Sequence, residues 1–296
     1  MLTSSPQVGA SARVDVPAAA RLKQRLTLAT QASWLHEELA SRMAERLSFI
    51  KRQPELVLDW SPDLARPASP LVRAYPRAEI RCIREADAAL LPRSWWQRLS
   101  GATPRQPWQA PSATPGAGAT LLWSHMQLHL EADPLAVMRQ WREALSAEGF
   151  LMFTTLGPGS LAGLRKLYEA AGWGEAHAPF TDMHDLGDML VESGFADPVM
   201  DQETLTLHYT SPEMLLRELR EMGCNLSPQR HAGLRSRSWL AQLKQALVQQ
   251  ADAQGRLALQ WEVVYGHAFK APDRGPTLSA DTRIPLDDMK LMLRKR

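Results

Sequence analysis

The stretch that decides the fold of this 296-residue chain is Glu55 to Pro76, with the sequence ELVLDWSPDLARPASPLVRAYP. Leu56 to Leu58 form a short apolar run closed by Asp59, a pattern typical of a strand buried in a parallel sheet. A turn then leads into a helix-length segment. α/β proteins hold nucleotide-like ligands at such a strand, turn and helix, because backbone N–H groups and the crevice beyond the strand end converge there.

The turn after Asp59 lacks the glycines that usually let a backbone approach a ligand closely. Ser61, Asp63 and Ala65 stand at alternate positions after Asp59. Prolines, which have no backbone N–H to donate, add to the contrast with a ligand-cradling loop. They are Pro62, Pro67 and Pro70.

Composition limits the classes of function. Hydrophobic residues make up 45% of the chain, enough for a sizeable core, and the formal net charge of +2 gives no bulk electrostatic case for binding nucleic acid. The two cysteines, Cys82 and Cys224, provide no disulfide framework, and no apolar run approaches the length of a membrane span. We therefore expect a cytoplasmic protein with no membrane or nucleic-acid partner.

The alternation of predicted strands and helices favours an α/β fold with a doubly wound, mostly parallel, Rossmann-like sheet. Residues 1–20 lack periodicity and are predicted to be a disordered tail, and residues 272–296 a polar tail. The predicted domain spans residues 21–271. Its predicted parts are an N-terminal helix, or two helices joined end to end, at 22–52, core-sheet elements within 55–155, helical cap elements at about 160–193 and 212–251, and late strands at 203–209 and 257–269.

Several histidines leave alternatives open. His125 and His129 follow a predicted strand, on a loop, where they either line a site or are ordinary loop histidines. His184, Asp185 and Asp188 stand at helical spacing, but one histidine without a second motif favours an exposed acidic helix face over a metal site. We predict no metal.

Three later segments resemble a known family. They are Phe153 to Leu161 (FTTLGPGSL), Met183 to Asp188 (MHDLGD) and Gly194 to Asp201 (GFADPVMD). These segments are similar to those of the malonyl-acyl-carrier-protein O-methyltransferases of biotin synthesis, the BioC family. The resemblance covers about residues 22–271 and implies a class I methyltransferase fold. It also implies S-adenosylmethionine (SAM) as cofactor, acyl-carrier protein as partner, and the free carboxyl of its malonyl thioester as methyl acceptor.

The same resemblance implies a set of cofactor-binding positions. The family's first motif, Asp-x-Gly-x-Gly-x-Gly, fits from Asp59 onward without a gap. The acid that binds the ribose in the family falls on Arg84, with Glu85 one residue later, and the asparagine after Trp-Ser falls on His125. The implied cofactor-binding residues are Asp59, Ser61, Asp63, Ala65, Glu85, Trp123, Ser124 and His125.

The replaced glycines bear on the affinity for SAM. Each replacement where a backbone must pass close to a ligand costs on the order of 1–3 kcal/mol. Loss of the charged acceptor to the ribose removes roughly 1.5–3 kcal/mol more. A sum near ~5 kcal/mol would move a micromolar affinity toward millimolar. Either Glu85 reaches back to the ribose in an altered binding mode, or SAM is not bound.

Two functions remain open from the sequence. One is a SAM-dependent carboxyl methyltransferase, and the other is a catalytically silent relative that acts as a protein-binding partner or regulator. No catalytic residue is predicted, because a carboxylate acceptor is already anionic and alignment does most of the work. Arg230, Arg235 and Arg237 form the best candidate surface for an acidic carrier protein and its phosphate, with a solvated loop as the alternative.

Overall fold

The computed structural model describes residues 14–29, 32–61, 64, 70–84 and 108–271. Its longer elements alternate as expected for an α/β chain. The helices are α1 (Val16–Leu28), α2 (Trp34–Arg46), α3 (Pro70–Ala74), α4 (Pro134–Ala144), α5 (Ala162–Ala170), α6 (Met183–Glu192), α7 (Pro212–Met222) and α8 (Arg237–Gln249). The strands are β1 (Leu56–Asp59), β2 (Glu79–Ile83), β3 (Trp108–Gln109), β4 (Ala119–His125), β5 (Leu145–Leu156), β6 (Phe195–Tyr209) and β7 (Leu257–Lys270).

One sheet organises the described part of the chain, with the strand order β3-β2-β1-β4-β5-β7-β6. Strands β1 to β5 pair in parallel, and β7 lies antiparallel between β5 and β6. The order reverses beside β1, which is the switch point where doubly wound proteins bind ligands. The predicted doubly wound, mostly parallel sheet is confirmed.

Both faces of the sheet are buried, because successive side chains of a strand point to opposite faces. Val57 of β1 packs in one apolar cluster, and its neighbour Leu58 packs in the other. The first cluster includes side chains of α2, α5, α7 and α8, and the second includes those of α4 and α6. This arrangement gives a three-layer α/β/α domain.

The N-terminal boundary differs from the sequence prediction. Residues 1–13 lie outside the described part, but α1 begins at Val16, so the predicted tail was wrong from there to residue 20. The Asp15 side chain caps α1 by accepting from the Ala18 N–H at 2.8 Å. Small side chains that pack closely, such as Ala18, give little periodic signal. Of the two possibilities for 22–52, the structure has two helices, α1 and α2, followed by a 3-10 turn at Leu47–Phe49.

The predicted helical cap also divides differently. Leu186 and Leu190 of α6 pack with α4, on the face opposite to α5, so α6 is not part of the layer that holds α5, α7 and α8. Residues 101–120 are rich in Pro, Gly, Ala and Thr, a composition that predicts a loop, but they include the short strand β3. Among the described residues, no helix is both long and apolar enough to cross a bilayer.

Candidate active site

The candidate site lies at the carboxyl ends of β1, β4 and β5, which are adjacent in the sheet. Asp59 ends β1 and His125 ends β4. The sheet therefore brings together five of the predicted cofactor-binding residues, while the other three, Asp63, Ala65 and Glu85, fall outside the described residues. The five are Asp59, Ser61, Trp123, Ser124 and His125.

Ser61 links the ends of β1 and β4. Its backbone N–H donates to the Asp59 Oδ1 at 3.0 Å, and its Oγ accepts from the His125 N–H at 2.6 Å. The side chain is only 3% exposed. A hydroxymethyl group with a structural hydrogen bond thus occupies the first position where the resemblance expects a bare glycine.

His125 lies at the end of β4 and is fully buried, so the prediction of a loop position was wrong. Its Nδ1 is 2.9 Å from the Thr154 Oγ1, and its Nε2 is 3.3 Å from the His36 Nδ1. His129 lies in a 3-10 turn, with its Nδ1 3.4 Å from the Thr155 Oγ1. Sequence reasoning missed His36 and Thr154, because both are far from His125 in sequence and only the folded chain brings α2 and β5 next to it.

The three histidines at this edge are neutral near pH 7. Burial lowers the pKa of His36 to about 4 and that of His129 to about 3. Burial also holds the pKa of His125 well below its usual value, and the neighbouring His36 and His129 lower it further. Neutral imidazoles avoid the cost of burying charge and place no positive charge beside a cationic ligand.

Asp59 and Ser124 lie on opposite faces of the sheet, because Asp59 follows Leu58 of the second apolar cluster and Ser124 follows Trp123 of the first. Asp59 is 5% exposed at the end of β1, on the face of His125, and its carboxylate suits a cationic cofactor such as SAM, although the Ser61 side chain reduces the room. The Ser124 Oγ points to the other face, where it is buried and has no hydrogen-bond partner among the described residues.

A cavity of about 290 Å³ opens at the carboxyl end of β5, beside this group of residues. We call it the α1–α7 cavity, because side chains of both helices line it. His129 lies in its lining, so the cavity adjoins the histidines described above. Most of the lining is apolar and includes Leu22, Leu130, Leu156, Leu161, Leu164, Leu219 and Met222.

The predicted carrier-docking arginines have different environments. Arg230 pairs with Asp15 at 2.7 Å, and Arg235 donates to the Trp173 carbonyl and lies 4.6 Å from the centre of the Trp239 ring. These two side chains join the loop between α7 and α8 to the start of α1 and to the neighbouring aromatic residues. Arg237, the first residue of α8, is exposed. The structure therefore does not present three unengaged cations on one surface, and carrier contact at Arg237 remains a prediction.

His184, Asp185 and Asp188 are exposed on α6, and the acid just before them, Asp182, caps the helix. The Asp182 side chain caps α6 by accepting from the His184 N–H at 2.8 Å, and it lies 2.8 Å from the His184 Nδ1. No group of three or more histidine, cysteine or acidic side chains that could hold a metal ion occurs within the ranges that the structure describes.

The strand order, with an antiparallel β7 between β5 and β6, and the polar crevice at the switch point define a Rossmann-like class I methyltransferase domain. The chain belongs to the malonyl-acyl-carrier-protein O-methyltransferase family. It is 36% identical over 248 residues to the malonyl-[acyl-carrier protein] O-methyltransferase of Gallionella capsiferriformans, a match that covers 81% of this chain and 85% of that one.

Other relatives agree with this assignment. The protein of the same name from Laribacter hongkongensis is 34% identical, with 82% of this chain and 85% of that one covered. The one from Legionella pneumophila is 31% identical, with 85% and 89% covered. No protein-family model matches the chain.

Among solved structures, the YcgJ protein of Bacillus subtilis is similar to this chain with a TM-score of 0.49 and 10% identity. The match covers 78% of this chain and 98% of that protein.

Proposed function

We propose that this protein is a SAM-dependent methyltransferase that esterifies the free carboxyl of malonyl-acyl-carrier protein in biotin synthesis. The observation that carries the proposal is the similarity, over about four fifths of the chain, to relatives named for that reaction. The cavity beside the strand ends supports it, because an acceptor has room there. A cytoplasmic location is part of the proposal and fits Cys82 and Cys224, both in the described part, which form no disulfide.

The residues at the strand ends would hold the cofactor and exclude water. SAM, when bound, supplies an electrophilic methyl group. Asp59 would face its positive charge. The carboxylate acceptor needs no base, so the neutral state of His36 and His125 is compatible with a site that works by alignment and desolvation.

We also propose that Ser61 weakens the binding of SAM, compared with a protein that has glycine at position 61. We expect Ser61→Gly to tighten the binding of S-adenosylhomocysteine about five- to tenfold, because removing the Cβ and hydroxyl opens room between β1 and β4. The same change should lower the free energy of unfolding by about 1–3 kcal/mol, since the buried His125 N–H loses its acceptor. Titration calorimetry and chemical denaturation measure the two effects.

Ser61→Ala is the matched control. It removes the same hydrogen bond but keeps the Cβ, so it should lose stability without the full gain in affinity. Equal affinities of the wild type, Ser61→Ala and Ser61→Gly would contradict the assignment of Ser61 to the cofactor pocket.

The reaction itself is tested with purified malonyl-acyl-carrier protein and SAM. The expected result is a methyl ester on the malonyl group, detected by mass spectrometry of the carrier. Complementation of a biotin-requiring strain that lacks this methyltransferase tests the same function in cells. A folded protein that fails both assays would favour the silent relative.

A further inference from the structure

The α1–α7 cavity contains two buried polar atoms in an otherwise mostly apolar lining. Trp261 of β7 is 1% exposed, and its Nε1–H has no acceptor among the described residues. The Nε2 of His177 is also buried and has no partner within that part of the chain. Both residues line the cavity.

The chemical role of each atom follows from its surroundings. The His177 Nδ1 lies 2.7 Å from the Ala178 carbonyl oxygen, which only accepts, so Nδ1 carries the hydrogen. Burial lowers the pKa of His177, which keeps the ring neutral and leaves its Nε2 as an acceptor. The indole of Trp261 is a donor only. Two residues of the cavity wall therefore carry one unpaired donor and one unpaired acceptor, both buried behind its surface.

The lining also contains two arginines. Arg25 of α1 donates to the carbonyl oxygens of Arg220 and Gly223, at 2.9 and 2.7 Å, and so fixes α1 against the end of α7. The side chain of Arg220 is exposed and makes no ion pair among the described residues. An exposed guanidinium beside an apolar cavity is suited to a phosphate on a ligand whose remainder is buried.

We propose that the α1–α7 cavity binds the phosphopantetheine arm of the carrier protein, with Trp261 and His177 pairing with an amide of the arm and Arg220 facing its phosphate. A secondary amide supplies the acceptor and the donor that these two side chains lack, whereas an alkyl chain would leave both unpaired at a cost. The arm would approach the strand ends along His129. The inference rests on the proposed function, because it takes the carrier thioester as substrate.

The cavity is tested with pantetheine and 4′-phosphopantetheine as probes, and with decanoate as an anionic alkyl probe without amides, by ligand-observed NMR and calorimetry. Ala176→Leu places a larger side chain in the lining from a half-buried position. We expect it to weaken binding of both pantetheine probes at least tenfold. Ala170→Leu, at an exposed position on α5 outside the lining, is the control and should bind as the wild type does.

The phosphate contact is tested by charge reversal. Arg220→Glu should weaken 4′-phosphopantetheine at least fivefold and leave pantetheine unchanged. Arg217→Glu is the matched control, because Arg217 is also exposed on α7 but does not line the cavity. Equal effects of the two reversals would overturn the assignment of Arg220 to the phosphate.

The outcomes separate this inference from the proposed function. If malonyl-acyl-carrier protein is methylated but the pantetheine probes do not bind, or bind equally to Ala176→Leu, the cavity assignment is overturned and the function stands. Preference for decanoate over 4′-phosphopantetheine, which is also anionic, would overturn it too. If the probes bind as expected and no methyl transfer occurs, the cavity assignment stands and the proposed reaction fails.

Discussion

Gly266→Ala is expected to lower the free energy of unfolding by about 3 kcal/mol, the upper end of the range for overpacking a core. Gly266 of β7 lies opposite Phe153 of β5 in the antiparallel register. An added Cβ would lie 2.1 Å from the Phe153 Cε1 and 2.3 Å from its Cζ. The ring has little room to move, because Phe153 is fully buried and packs against Trp141 with ring centres 5.8 Å apart.

Chemical denaturation of the two proteins measures the effect. Gly163→Ala is the control, since nothing lies within 4 Å of a Cβ built at that position of α5. It should be neutral or stabilising by up to about 1 kcal/mol, because alanine favours helix more than glycine does. Adding Phe153→Leu to Gly266→Ala should recover part of the loss. If the variant that carries only Gly266→Ala is as stable as the wild type, the predicted clash is contradicted.

Acid is expected to destabilise the protein through His36. The folded pKa of about 4 lies below the usual 6.5, so neutral His36 contributes stability that is present above pH 6.5 and is lost as the pH falls toward 4. That loss amounts to about 2 kcal/mol between pH 7.5 and pH 5. His125 and His129, which lie nearby, have lowered pKa values too and act in the same direction.

The contribution of His36 is isolated by His36→Gln, which does not titrate. The difference in unfolding free energy between pH 7.5 and pH 5 should be smaller in this variant by about 2 kcal/mol. His231→Gln, at an exposed position, should behave as the wild type does. A proton NMR titration of the imidazole provides a second measurement on the unaltered protein. A His36 ring that becomes charged near pH 6.5 in the folded state would contradict the prediction.

The elements with strong local patterns were predictable from the sequence. The apolar run ended by Asp59 is β1, and the segments around Pro134 and Pro212 begin α4 and α7, because proline is favoured in the first turn of a helix. The helix α1 was not predicted before residue 20, since its buried face there consists of small residues such as Ala18. Local composition therefore predicted the sheet better than it predicted the N-terminus.

The candidate site was predictable only in part. The family resemblance implied Asp59, Ser124 and His125, but the His36 partner of His125 is 89 residues away in sequence, and no local pattern links them. The arginine prediction was limited for a different reason, because it included side chains that are already engaged within the fold. A cluster of cations in the sequence does not show that Arg230 is already paired with Asp15, because such pairs form only through tertiary contacts.

The pairing of Asp15 with Arg230 has a practical consequence for shortened forms of the protein. A chain that started at residue 21 would lack the cap of α1, the ion pair and the first turn of that helix. It would keep Leu22 and Arg25, yet on a frayed segment that no longer covers one wall of the cavity. Trimming the N-terminus would then remove a wall of the proposed arm site while leaving the central sheet intact.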